Sequence, residues 1–346
     1  MNVQFETGTT NLKKFVVAPT TVARERLSTK IELDGRPVIA SKRFWNSIMS
    51  RFGIADSIFT YFNHDEVFSR IADVKGDVEL RYTLEHKDDN KLPRLLAAVG
   101  TDAVVPNGSD VESLFGRFDP QLINYNEGIM TGHFVPKSGE AVFNIGPDEF
   151  RNRYAMDVPV DGYGKPSNFL ELVRLICGNG AVGYNSAFRQ TINVGDNPIY
   201  TLERALNSFD DGEGFGRLRS RFDMAQKSWA SVREVQKLRE WLARDEKNVG
   251  ASAETQLSLT KLAGDVSQTY GIVNLNALSP KKQSLLQSKC RMYDLINFAS
   301  ELATHHTEMG EARRLHGWIG ETVAEEFDLE GTANKEPMMF QDFVVV

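Results

Sequence analysis

Apolar and polar residues change rhythm part-way along this chain. In the first half apolar positions alternate with polar ones over short runs, the period of half-buried strands. From Tyr200 onward they recur every three to four residues, the period of amphipathic helices. Residues 77–84 alternate almost without fault and predict a strand. Residues 15–18 and 30–40 read as extended, the second folded back at Asp34 and Gly35, a two-residue hairpin signal. Ser41 is placed to cap a helix whose Phe44, Trp45, Ile48, Met49 and Phe52 share one face, and a second short helix is predicted over 66–74. Residues 95–99 and 122–135 complete the strands, with Gly128 and Gly132 marking a bend or bulge in the latter.

Further along, two prolines and two glycines between 159 and 166 make a turn. Residues 169–177 are apolar nearly all the way round, which predicts a buried helix, stopped by Gly178, Asn179 and Gly180. The longest helix is predicted over 218–244, and a polar stretch at 245–256 breaks the run. Ser279 and Pro280 form a cap and first turn for a helix reaching Leu302, and a shorter helix follows over 311–327. No internal repeat or long heptad run is present. Strands followed by helices predict an α+β fold. The expected parts are a mostly antiparallel sheet with short helices over 1–165, a mainly helical region over 166–327, and an acidic, flexible tail over 328–346.

Composition narrows the function classes. With 346 residues, 41% hydrophobic and 25% charged, the chain can bury a core without disulfides or metals. Cys177 and Cys290 are isolated from each other, the usage of a reducing compartment. No signal sequence and no spanning apolar run are evident, so a soluble protein without membrane contact is expected. The net charge of −7 excludes a uniformly basic coat but not a local one.

Strong catalytic signatures are missing: no phosphate-binding loop, zinc-protease helix, serine-hydrolase elbow or calcium loop occurs. Gly212, Gly214 and Gly216 follow a helix rather than a strand and read as a turn between helices. His305, His306 and His316 read as solvated surface, and no metal, cofactor or catalytic residue is assigned. Cys177, at the C-terminal end of its predicted helix, has a dipole that opposes a thiolate.

Two groups remain. Asp157, Asp161, Tyr163, Arg174 and Asn179 form a candidate ligand pocket, or equally the polar lining of a tight turn. Arg217, Arg219, Arg221, Lys227, Arg233, Lys237 and Arg239, with Arg244 and Lys247, set nine cations against five anions, a local +4. Guanidinium and ammonium groups neutralise phosphates, and arginine planes and aromatics stack on unpaired bases, so this stretch is the candidate nucleic-acid surface. The alternative is a solvated helix face with ion pairs four residues apart, Trp229 and Trp241 belonging to the core. Between 320 and 346, seven acids oppose Lys335 alone; such an end can dock a protein partner, compete for a basic groove, or serve solubility.

Several stretches carry a resemblance. Residues 31–37 followed by Phe44, residues 159–164, and the Arg174 to Gly180 segment, with Arg204 to Leu206 and then Gly214 and Phe215, resemble the phage and plasmid family known as domain of unknown function 932. The resemblance spans about 30–244, and its most specific part, 174–180, carries no assigned chemistry. It implies a mobile-element protein of replication or recombination; taken with the basic stretch and the reducing-compartment cysteines, it leads to the expectation of a non-enzymatic protein that binds single-stranded DNA in the host-cell cytoplasm, with a homo-oligomer as a further candidate partner. A virion structural or assembly protein, or an enzyme with its pocket around 157–180, are the alternatives.

Overall fold

The computed structural model describes residues 3–19, 30–87, 91–136, 142–175, 180–183, 189–208, 212–244, 253–307 and 309–324. The first strands are β1 (Gln4–Asn11), β2 (Phe15–Val17), β3 (Lys30–Leu33) and β4 (Arg36–Ala40). Helices α1 (Lys42–Phe52) and α2 (His64–Lys75) lead to β5 (Glu79–His86), β6 (Arg94–Gly100) and α3 (Gly108–Gly116). Then come β7 (Leu122–Asn126), β8 (Ile129–Phe134), β9 (Phe143–Ile145), β10 (Asp148–Pro159), β11 (Ser167–Arg174), β12 (Gly180–Gly183) and β13 (Arg189–Thr191). The remainder is α4 (Pro198–Ser208), α5 (Gly212–Lys227), β14 (Trp229–Ser231), α6 (Val232–Arg244), α7 (Ala253–Ala263), α8 (Val266–Tyr270), α9 (Pro280–Leu285), β15 (Gln287–Arg291), α10 (Met292–His305) and α11 (Met309–Ala324). The fold is α+β, as the pattern predicts: sheets fill the first half and helices most of the second.

Two compact units interleave along the chain instead of meeting once near residue 165. Unit 1 takes 1–132, 156–167 and 191–208, and unit 2 takes 133–155, 168–190 and 209–346. The boundaries fall inside β8, β10, β11 and β13, so no single cut in sequence separates the units.

Unit 1 holds a six-stranded sheet in the order β1-β5-β6-β4-β3-β2. Its pairs are antiparallel except β4 with β6, whose crossover is supplied by the helices between them. The expected hairpin closes at Asp34 and Gly35, both at positive φ, the backbone that a tight two-residue turn requires. Ser41 caps α1 by accepting from the Phe44 amide, and Gly53 ends the helix in the left-handed region. Phe44, Trp45 and Ile48 bury against Phe15, Phe68, Leu80 and Leu95, each side chain stabilising by about 1.5–3 kcal/mol. Residues 122–135 form two strands, not one, because Glu127 and Gly128 make a second tight turn at positive φ.

Unit 2 corrects the helical reading in three places. Residues 167–174 are strand β11 and not a helix; buried on both faces, a strand shows the same unbroken apolar run as a buried helix. The helix expected over 218–244 is two, α5 and α6, parted by β14, which pairs antiparallel with β15. β15 likewise interrupts the helix expected from Pro280 to Leu302. Gly212, Gly214 and Gly216 lie in the first turns of α5 and are not an inter-helix turn. The predicted tail at 328–346, and Cys177 and Asn179, lie outside the described residues.

Candidate functional site

The residues expected to line one pocket divide between the units. In unit 1, Asp161 has no exposed side-chain surface; its carboxylate accepts from Arg43 Nε, from Arg43 Nη2 at 2.9 Å and from the Tyr163 amide at 3.0 Å. Arg43 also donates to the Tyr163 carbonyl, and its Cζ lies 5.0 Å from the Tyr163 ring centre. A Cβ on Gly128 would sit 2.6 Å from Asp161 Oδ2, so only glycine fits at this turn. Asp157, also buried, accepts from Thr131 Oγ1 at 2.6 Å. Burial pushes the Asp161 carboxyl up, and the bonds from Arg43 and the Tyr163 amide pull the other way. Asp157 and Asp161 thus belong to buried, internally bonded polar groups, with Tyr163 half-buried beside Asp161.

The basic stretch is likewise dispersed. Arg219 lies over the Phe143 ring, 3.4 Å from its centre. Arg221 Nε donates to the Val323 carbonyl at 2.7 Å, and Arg239 Nη2 donates to Thr260 Oγ1 at 3.0 Å. Lys227 pairs with Asp223 at 2.5 Å on the surface of α5. Arg217 is exposed, and Arg233 and Lys237 are half-buried on α6. Among the described residues a single cationic face is replaced by two helices, three of whose arginines brace the interior of unit 2, and Lys247 lies outside the described residues.

Arg174, the fourth expected residue, leads to an open site. β10 and β11 are neighbours, and the Leu175 amide donates to the Glu149 carbonyl at 2.8 Å. The first residue of β10, Asp148, therefore sits beside the last of β11, Arg174. Arg174 Nη2 donates to Asp148 Oδ1 at 2.5 Å, and the Tyr293 hydroxyl, from α10, donates to Asp148 Oδ2 at 2.6 Å. The turn before Asp148 is held from behind. Gln226 Nε2 donates to the Ile145 carbonyl at 2.9 Å, and the Gln226 amide fills the space where a Cβ on Gly146 would lie. Gly146 is at φ +57°, so glycine is needed there twice over.

This group lines a cleft of about 690 Å³ in unit 2, within the range of small-molecule sites. α10 supplies one wall with Asp294, Asn297 and Glu301, three polar residues on one stripe of a helix whose opposite face is mostly buried and apolar. Asp294 and Glu301 are exposed, and neither forms a hydrogen bond or ion pair with the described residues. Arg291 closes another side: Nη1 donates to the Lys227 carbonyl at 2.8 Å, and Cζ lies 4.2 Å from the Trp229 ring centre, its cross-strand partner. Burial, and then Asp148, drive the Tyr293 phenol well above its ordinary range, so it keeps its proton and donates.

Elsewhere in unit 2, burial works to raise the pKa of Glu171, but His133 at 3.1 Å and Arg153 outweigh it and hold the carboxyl down at about 2. Burial drives the nearby His316 imidazole down to about 4. In unit 1 a smaller groove of about 330 Å³ is mostly apolar, lined by Phe52, Ile58, Phe62 and Ile71, with Arg70 and Lys75 at its side. Among the described residues no group of three or more His, Cys, Asp or Glu side chains could hold a metal, and no helix is long and apolar enough to cross a membrane. Buried Cys290 has its thiol pushed up to about 11 by burial, which disfavours the nucleophilic thiolate.

No family model, no curated protein and no solved structure matches this chain.

Proposed function

We propose that the chain is a binding protein whose unit 2 cleft takes a polar ligand rich in N–H donors. One observation carries this reading: two exposed carboxylates without hydrogen-bonding partners among the described residues, Asp294 and Glu301, stand on the wall of a cleft whose third carboxylate, Asp148, is locked by Arg174 and Tyr293. Fixed acceptors beside unsatisfied ones favour amines, amidines and amino-heterocycles over anions. The two cleft arginines do not reverse that preference, since Arg174 is spent on Asp148 and Arg291 is held on Trp229 and the Lys227 carbonyl. Binding is preferred over catalysis because both oxygens of Asp148 are engaged and Tyr293 holds its proton, leaving neither as a ready base. The test is a thermal-shift panel of water-soluble amines, amidines and amino-heterocycles against matched carboxylates. Selective stabilisation by the donors, lost in the paired Asp294→Asn and Glu301→Gln variant, is expected. Equal response to carboxylates defeats the reading.

A second reading keeps single-stranded DNA as the partner, in the mobile-element setting that the resemblance implies. It is favoured by the β14–β15 ribbon, where Trp229 and Arg291 stack, with Lys227 and Lys289 exposed alongside. Oligonucleotide binding that weakens steeply with salt is expected, and a combined Arg217→Glu, Lys227→Glu and Lys289→Glu variant is expected to abolish it. Indifference of the native protein to oligonucleotides at low salt removes this reading. The homo-oligomer and a protein partner for the acidic C-terminal segment remain proposals of the same kind, checked by light scattering and by pull-down with the 328–346 peptide.

A further inference from the structure

We propose that the group the cleft selects is a nucleobase bearing an exocyclic amino group, stacked on Arg291; this rests on the cleft reading above and names its ligand class. The guanidinium of Arg291 is planar, and its orientation is fixed twice: by the Trp229 indole on one side and by the hydrogen bond to the Lys227 carbonyl. Arg291 lines the cleft and Trp229 does not, so the surface that Arg291 offers the cleft is what the indole leaves uncovered. A guanidinium plane immobilised in this way is a stacking platform, and flat heterocycles are the groups that use one. A simple alkyl amine gains nothing from it.

The same cleft carries what would read the edge of such a ring. Asp294 and Asn297 lie three residues apart on α10 and so share a face, with Glu301 about 10 Å further along the helix axis than Asp294. Carboxylates accept from exocyclic amino groups, as acidic side chains do when they read cytosine. On the same helix the Tyr293 hydroxyl bonds Asp148, which also accepts from Arg174, so the wall beside the platform is held by a connected network. A ring with N–H donors is accommodated on both counts. A ring offering carbonyl oxygens in their place meets like-charged or acceptor groups, a repulsion that discriminates without any added contact.

The base could belong to a free nucleotide or to a single strand, and the chemistry at Arg291 is the same for both. The experiment titrates the full chain with the monophosphates of adenosine, cytidine and uridine, and with a short oligoadenylate, by isothermal calorimetry. Adenosine and cytidine monophosphates are expected to bind at least about tenfold more tightly than uridine monophosphate, a difference of about 1.4 kcal/mol. Arg291→Lys, which keeps the charge and loses the plane, is expected to weaken them by a similar factor with the circular dichroism unchanged. Because that variant also loses the Lys227 bond, Asp294→Asn at an exposed position gives a second arm: the preference over uridine is expected to shrink while the protein remains folded. Tighter, salt-sensitive binding of the oligoadenylate assigns the base to a strand; tighter binding of the mononucleotide assigns it to a free nucleotide. Equal affinity for uridine monophosphate, or native affinity in Arg291→Lys, overturns the proposal. If simple amines stabilise the protein and no nucleotide binds, this inference falls and the cleft reading stands; if nothing binds, both fall.

Discussion

Two arginine–aspartate pairs, one in each unit, look alike on paper and do different work. Arg43 and Asp161 have side chains 15% and 0% exposed, and Arg174 and Asp148 have 24% and 7%. The exposures are close; the surroundings are not. Around Asp161 every bond returns to the protein, through Arg43 and the Tyr163 amide, and Gly128 leaves no room for a side chain beside the carboxylate. Beside Asp148 lies a cleft whose other carboxylates have no hydrogen-bond or ion-pair partner among the described residues. The comparison teaches that a buried ion pair is not in itself a functional signal. What marks a site is a pair with uncommitted acceptors next to it.

The comparison breaks first where its stability consequences are largest. Asp161→Ala strands a buried guanidinium, and a loss of about 3–5 kcal/mol is expected in urea unfolding, with ligand binding by the surviving folded protein unchanged. Gly128→Ala drives a Cβ into the same carboxylate at positive φ, for an expected loss of about 1–3 kcal/mol by the same measurement. Tyr293→Phe deletes one bond to Asp148 and is expected to cost about 1.5–3 kcal/mol at most, but to loosen Asp148 and weaken ligand binding in calorimetry. If Tyr293→Phe is as damaging as Asp161→Ala and binding is untouched, the two pairs are equivalent and the distinction fails.

A pH series separates unit 2 from general acid unfolding. The His316 pKa falls from 6.5 to about 4 on folding, chiefly through burial. The unfolded chain therefore takes up this proton first, so its contribution to stability is full above pH 6.5 and is lost as pH drops toward 4. Glu171, lowered from 4.5 to about 2, adds a second loss that begins below pH 4.5. The urea midpoint is expected to fall between pH 6.5 and 4 in the native protein and to fall less in His316→Gln; an unchanged slope refutes the assignment. The smallest effect is reserved for Lys227→Ala: its surface pair with Asp223 contributes under about 0.5 kcal/mol, and thermal unfolding is expected to register almost nothing.

Much of unit 1 was legible because its signals are local. Asp34 and Gly35 announce their hairpin, and Ser41 announces α1. The reading failed where burial removed the period. β11 is enclosed on both sides, so its apolar run matched a helix, and only its two charged residues, the fully buried Glu171 and the terminal Arg174, were discordant. The break between α5 and α6 did leave a sequence mark. Ser231 caps α6, the Arg233 amide donating to its Oγ at 3.2 Å, and Glu234 reaches back to accept from the Ser231 amide at 2.7 Å. The apolar spacing happened to run on through the strand and hid it.

The cleft was half legible. Arg174 drew notice through its neighbours in sequence, but Asp148 and Tyr293 reach it only through strand pairing and a helix more than a hundred residues away. No spacing rule on one sequence reports such a meeting. The nearest clue was the stripe of Asp294, Asn297 and Glu301 on a helix otherwise rich in buried apolar residues. The basic stretch misled for the converse reason: charge counts do not say which arginines face inward, and Arg221 and Arg239 are bonded to the interior of unit 2.

The most direct measurement is calorimetric titration of one donor-rich ligand, cytidine monophosphate, into the native chain and into the paired Asp294→Asn and Glu301→Gln variant. Saturable binding to the native protein and at least about tenfold weaker binding to the variant, at equal melting temperature, is the expected result. Indistinguishable isotherms for the two proteins would contradict it.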